Sequence, residues 1–139
     1  MARTTYIADT SVFARLTQPA VAAAFAPLVA EGRVALCAPV AFELGFSARN
    51  ADDHRALIDG LAAFPTVAVA DADHQRALEV QALLARGGRH RAVSLVDALV
   101  AAIAEVRELT VLHYDADFEL VAEVTGQPQA WIVPRGTAD

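Results

Sequence analysis

The sequence predicts an α/β fold, a three-layer α/β/α sandwich around a central parallel sheet of four to five strands. Three observations carry this expectation. Short runs rich in β-formers alternate with longer helical patterns along the whole chain, the order that builds βαβ units. The strand runs are apolar without polar alternation, as expected of strands covered on both faces. Finally, 139 residues at 55% hydrophobic and 20% charged are enough for one core, so residues 1–139 read as a single domain.

Thr4-Thr5-Tyr6-Ile7-Ala8 is the first buried strand, stopped by Asp9-Thr10-Ser11, whose capping residues can start a helix. From Pro19 to Glu31 an alanine-rich run favours helix, with Pro19 in the first turn and Gly32 just past the end. Val34-Ala35-Leu36-Cys37 is a second strand, and Pro39 opens a helix through about Arg49. A further helix begins at Ala51-Asp52-Asp53-His54 and ends near Phe64-Pro65, before a third strand at Thr66-Val67-Ala68-Val69. Ala77, Leu78, Val80, Leu83 and Leu84 give the segment Asp73 to Arg86 helical spacing, and Gly87-Gly88 stops it. Arg89-His90-Arg91 reads as an exposed loop. Ser94 to Arg107 is a nearly all-apolar helix, followed by strand Thr110-Val111-Leu112-His113, helix Asp117 to Val124 and strand Ala130-Trp131-Ile132-Val133.

Composition excludes several functions. All 11 basic residues are arginines, so there is no lysine for a phosphate loop, a Schiff base or a receiver domain of the usual type. The lone Cys37 excludes a disulfide framework and a cysteine-rich zinc site. Neither a signal sequence nor an apolar span of about 20 residues is present, so a soluble protein of the reducing cytoplasm, without a membrane partner, is expected. With 17 acids the formal charge is -6, which at first sight counts against a nucleic-acid partner.

In a parallel sheet with returning helices, ligands bind at the carboxyl ends of the strands. The predicted elements bring Asp9, Glu43, Asp97 and Asp115 to that edge, with Asp117 two residues further on. Singly, each has a structural explanation. Asp9 can cap the next helix, Asp97 stands three residues after Ser94 as in a capping box, and Asp115 and Asp117 can be turn and cap residues. Glu43 is set among Val40, Ala41, Phe42, Leu44 and Phe46, neighbours expected to be buried, and a buried carboxylate needs a partner or a metal.

Together the acids mean more. Two carboxylates about 4 Å apart repel by about 1 kcal/mol in bulk water and about 4 kcal/mol at an effective dielectric near 20. Only Arg49 lies near any of them in sequence, so a cation or bound protons must neutralise the group. An all-oxygen set suits Mg²⁺, or Mn²⁺, rather than zinc, and His54, His74, His90 and His113 lack the paired spacing of a zinc site. Carboxylate-held Mg²⁺ sites typically perform phosphoryl transfer or phosphodiester hydrolysis.

These residues resemble those of PIN-domain ribonucleases, and in particular the VapC toxins of type II toxin–antitoxin pairs. The resemblance covers nearly the whole chain. Its carriers are Ile7-Ala8-Asp9-Thr10-Ser11, Glu43, Asp97 with Ala101-Ala102 behind it, and above all Leu112-His113-Tyr114-Asp115-Ala116-Asp117-Phe118 with Thr125-Gly126 following. It implies that Asp9, Glu43, Asp97 and Asp115 are metal-binding catalytic acids, that Asp117 supports them, and that Ser11 hydrogen-bonds within the pocket. It also implies a homodimeric endoribonuclease silenced by a VapB-type antitoxin. RNA contacts must come from arginines, and Arg86, Arg89 and Arg91 form the densest cluster, just before the helix of Asp97. A catalytically silent PIN interaction module and a receiver-like phosphotransfer domain are the alternatives.

Overall fold

The computed structural model describes residues 3–139. Five strands, β1 (Tyr6–Ala8), β2 (Val34–Cys37), β3 (Thr66–Val67), β4 (Thr110–His113) and β5 (Gln129–Trp131), form one parallel sheet in the order β3-β2-β1-β4-β5. The helices are α1 (Thr10–Phe13), α2 (Pro19–Ala30), α3 (Ala38–Phe46), α4 (Ala51–Leu61), α5 (Asp71–Arg86), α6 (Leu95–Val106) and α7 (Asp117–Thr125). The chain winds from β1 outward to β3, then crosses back to β4 and β5. Right-handed crossovers in the two directions put α1–α4 on one face and α5–α7 on the other. Helix contacts fit this division: α3 touches α1 and α4, while α5, α6 and α7 touch one another, with α3 also meeting α6. This is the α/β sandwich expected.

The direction of winding across the sheet reverses between β1 and β4, which run parallel with Ala8 opposite Leu112. At such a switch point the loops leaving the two strands diverge and open a crevice at the carboxyl edge. Asp9 follows β1 directly, and Asp115 lies two residues beyond β4. Helix α6, buried from Asp97 to Ala104, runs under this crevice and delivers its first turn there. Its Ser94 cap accepts a hydrogen bond from the Asp97 amide at 3.2 Å.

Burial of Ile7, Val12, Val34, Val40, Val100, Ile103, Val111 and Phe118, each 1% exposed or less, joins the sheet to both helix layers. Each such side chain contributes about 1.5–3 kcal/mol of transfer free energy. Phe13 and Phe25 pack edge to face with ring centroids 5.5 Å apart, and Phe64 lies 5.8 Å from Phe13, so these aromatics are taken up inside the domain.

Several boundaries differ from expectation. Helix α3 ends at Phe46 instead of about Arg49, because the Ser47 hydroxyl donates back to the Leu44 carbonyl at 2.6 Å and Asn50 caps α4 through the Asp53 amide at 2.9 Å. Strand β3 holds only Thr66 and Val67. The Ala68 carbonyl instead accepts from Arg107 at 2.7 Å, and the Ala70 amide donates to Asp73 at 2.8 Å, which starts α5 at Asp71. Strand β5 begins one residue early, at Gln129, and ends at Trp131, two residues before the expected Val133; strand β1 begins at Tyr6, two residues after the expected Thr4, and helix α4 ends at Leu61, before the expected Phe64. Among the described residues no helix is long and apolar enough to cross a membrane.

Candidate metal centre

Asp9, Asp97 and Asp115 converge at the crevice, each offering one carboxylate oxygen, and the three oxygens all lie within 4.8 Å of one another. They arrive from the end of β1, the first turn of α6 and the loop after β4. Asp9 is 2% exposed, Asp97 is 9% exposed and Asp115 is half-buried.

The structural reading of Asp9 and Asp115 is seen directly, and it leaves other carboxylate oxygens over. Asp9 does cap α1, its Oδ2 accepting from the Ser11 amide at 3.0 Å. Its Oδ1, however, is fully buried and has no hydrogen-bond partner. Asp115 opens α7, its Oδ1 accepting from the Asp117 amide at 2.9 Å. One oxygen of each residue thus serves the backbone. A cation fits this arrangement, since a buried carboxylate oxygen without a donor is otherwise costly.

Electrostatics tell the same story. Burial, and then the charges of Asp9, Asp115 and Asp117, push the Asp97 carboxyl up to about 7. Burial also raises Asp9, with Asp115 adding to the effect against the opposing hydrogen bonds of Ser11, and it raises Asp117 together with the charges of Asp115 and Asp9. Groups driven toward their protonated forms by one another are those a cation would relieve.

The loop carrying Asp115 is held from three sides. Ser11 Oγ accepts from the Tyr114 amide at 2.8 Å. His113, fully buried, accepts the Asp115 amide on Nδ1 at 3.0 Å, so its proton is on Nε2, where it donates to Gln129 Oε1 at 2.5 Å. Burial holds the His113 pKa below its ordinary value, in keeping with that neutral ring. Ser11 was read from the sequence as a pocket hydroxyl; His113 and Gln129 were not, because a strand histidine carries no signal of its role.

Glu43 and Asp117 stand beside the three carboxylates without joining them. Glu43 Oε1 accepts from the Thr10 hydroxyl at 2.5 Å, one residue from Asp9. The expectation that its neighbours are buried holds for Val40 and Leu44 but not for the two aromatics: Phe42 is 78% exposed and Phe46 87% exposed. Arg86, Arg89 and Arg91 are exposed, as expected, but Arg89 pairs with Glu123 at 3.2 Å, six residues along α7 from Asp117. Arg15, Trp131 and Arg135, which no sequence motif singled out, line the cleft that includes Asp115.

The PIN domain family model matches residues 6–124. Among curated proteins, Ribonuclease VapC51 of Mycobacterium tuberculosis is 47% identical over 134 residues, spanning 96% of this chain and 97% of that protein. Ribonuclease VapC21 of the same species is 40% identical over 136 residues, spanning 97% and 99%. In the solved DNA-bound VapBC of Salmonella typhimurium, one chain superposes with a TM-score of 0.75 at 19% identity, over 94% of this chain and 99% of that one. VapBC-5 of Mycobacterium tuberculosis gives a TM-score of 0.65 at 27% identity, over 94% and 99%. With the PIN model matched across four of the five strands and all three carboxylates, and curated relatives aligned over nearly their whole length, this chain belongs to the PIN-domain family, among its VapC members.

Proposed function

We propose that this chain is the endoribonuclease toxin of a VapBC-type toxin–antitoxin module, hydrolysing RNA phosphodiester bonds with a divalent cation held by Asp9, Asp97 and Asp115. The observation that carries the reading is the convergence of these carboxylates from three separate elements, with the buried Asp9 Oδ1 lacking any donor. Its relatives at 47% and 40% identity bear the name ribonuclease. Mg²⁺ is the expected ion and Mn²⁺ a competent substitute, because the donor set is all oxygen.

When bound, the ion supplies Lewis-acid chemistry, activating water and offsetting charge on the phosphodiester. The protein's part is to hold the ligands. Ser11 fixes Asp9 and the Tyr114–Asp115 loop together, and His113 orients the Asp115 amide from below. Glu43 and Asp117 extend the negative rim, where each can act on the ion through water. Asp97 must lose its proton to serve as a ligand, so cation binding and its ionisation are linked.

Neighbouring solved structures are VapBC complexes, which supports a VapB-type antitoxin as partner. A homodimer working in the cytoplasm, with residues 1–139 as one domain, completes the proposal. The test is cleavage of total cellular RNA by the purified chain with Mg²⁺, with EDTA, and as Asp97→Asn. Cleavage only by the metal-loaded wild type is expected; cleavage surviving both EDTA and Asp97→Asn would remove the mechanism.

A further inference from the structure

We propose that the cleft between Asp115 and the carboxy-terminal strand is the subsite for a nucleotide adjoining the scissile bond, with Trp131 stacking on its base and Arg15 and Arg135 contacting phosphates. The proposal rests on the ribonuclease reading and adds a substrate-binding site to it. The cleft, of about 510 Å³, is lined by Ser11, Arg15, Tyr114, Asp115, Trp131 and Arg135, so it shares Asp115 with the carboxylate group. That volume falls within the range of about 300–1,000 Å³ typical of small-ligand pockets.

Its positive charges are placed for a polyanion. Arg15 takes part in no ion pair among the described residues. It donates only to backbone carbonyls, Nε to Ala138 at 3.2 Å and Nη1 to Ser11 at 3.3 Å, and lies 4.5 Å over the Tyr114 ring. Its charge is therefore fixed and uncancelled, whereas Arg33, Arg49, Arg55 and Arg107 each face a carboxylate. Arg135 reaches Glu119 at 3.4 Å with its side chain 64% exposed, a pair loose enough for a phosphate to displace.

The aromatic surface is fixed as well. Trp131 is half-buried, its Nε1–H donates to Glu119 Oε1 at 3.1 Å, and Tyr114 meets it edge-on at 5.2 Å and 90°. Arg135 sits 5.6 Å from the indole centroid. A rigid indole beside an arginine is a sequence-tolerant platform for a base. The tail builds the outer wall, the Tyr114 hydroxyl accepting from the Gly136 and Ala138 amides at 2.9 Å each and donating to Asp139 at 2.8 Å. That bond engages one oxygen of the Asp139 carboxylate and holds it against Tyr114 at the outer wall.

Trp131 is the only tryptophan, so its fluorescence reports on this cleft alone. The experiment titrates a fluorescein-labelled single-stranded oligoribonucleotide into the full-length Asp97→Asn protein in EDTA, following anisotropy and tryptophan emission together. Expected is saturable quenching that tracks the anisotropy. Adding Arg135→Ala or Arg15→Gln should weaken binding several-fold and lower the slope of log affinity against log salt by about one each, while Arg55→Ala, which removes an exposed arginine paired with Asp52 on α4, leaves both unchanged. Trp131→Leu should weaken binding on the order of tenfold; its folding is verified by melting, and the exposed Arg135→Ala keeps the test valid if it unfolds. Binding by anisotropy with silent tryptophan and unchanged arginine variants would overturn the subsite while leaving the ribonuclease reading intact. Equal quenching by an Asp/Glu-rich peptide would overturn the nucleotide assignment. Tracking quenching in a wild-type chain that never cleaves RNA would support the subsite and count against the ribonuclease reading.

Discussion

The backbone amide of Tyr114 donates to Ser11 Oγ at 2.8 Å, joining the loop after β1 to the loop after β4 across the switch point of the sheet. Two residues before Ser11 is Asp9, and one residue after Tyr114 is Asp115. The bond spans 103 residues of sequence and sets the separation of two carboxylates. Ser11→Ala leaves a buried amide without an acceptor, and the expected cost is about 1–3 kcal/mol of stability. Divalent-cation affinity should fall with it. Thermal melts and Mn²⁺ titration check both, and unchanged affinity would show that the loops hold their places without this bond.

A pH signature follows from the Asp97 carboxyl, raised to about 7. Because the fold favours its protonated form, its contribution to stability is full below about pH 4 and is lost as pH rises toward 7. His113, lowered by burial, acts in the opposite direction: its contribution is present above about pH 6.5 and is lost as pH falls through its depressed value. Comparing variants separates them. In EDTA, the melting temperature of Asp97→Asn minus that of wild type should grow between about pH 4 and pH 7 and then level off. A difference that stays flat, or a variant less stable throughout, would mean that Asp97 acts chiefly as a helix-capping residue.

Arg107 holds Asp73 with two bonds, Nη1 to Oδ1 at 3.0 Å and Nη2 to Oδ2 at 3.1 Å, and Asp73 is 1% exposed. Arg107→Ala strands that charge and should cost about 3–5 kcal/mol. Arg49→Ala, which removes an exposed pair with Asp53, should cost about 1 kcal/mol or less. Chemical denaturation of the two variants checks the ordering. Comparable losses would indicate that Asp73 finds another donor or takes up a proton.

The sheet was legible because runs such as Val34–Cys37 and Val111–His113 can only be satisfied between two covering layers. Asp9, Asp97 and Asp115 were legible because each interrupts or ends an apolar run at the carboxyl edge. What escaped depends on contacts distant in sequence. Strand β3 is cut short by Arg107, 39 residues from the Ala68 carbonyl it takes. Phe42 and Phe46 read as core, since hydropathy alone does not separate a buried aromatic from one on an open surface. Arg15 meets the tail across 123 residues, a proximity that only the folded chain creates. The segment from Asp73 reads only as a helix, and the pairing of the buried Asp73 with Arg107, 34 residues away, carries no signal in its spacing.

Competition for the three carboxylates between protons and a cation is the centre of this account, and Mn²⁺ binding followed by electron paramagnetic resonance measures it most directly. Wild type should bind Mn²⁺ with an affinity that rises with pH up to about 7, as Asp97 ionises, while Asp9→Asn and Asp97→Asn should each lose most of that affinity. Mn²⁺ binding that is independent of pH and unaffected by both substitutions would contradict the assignment.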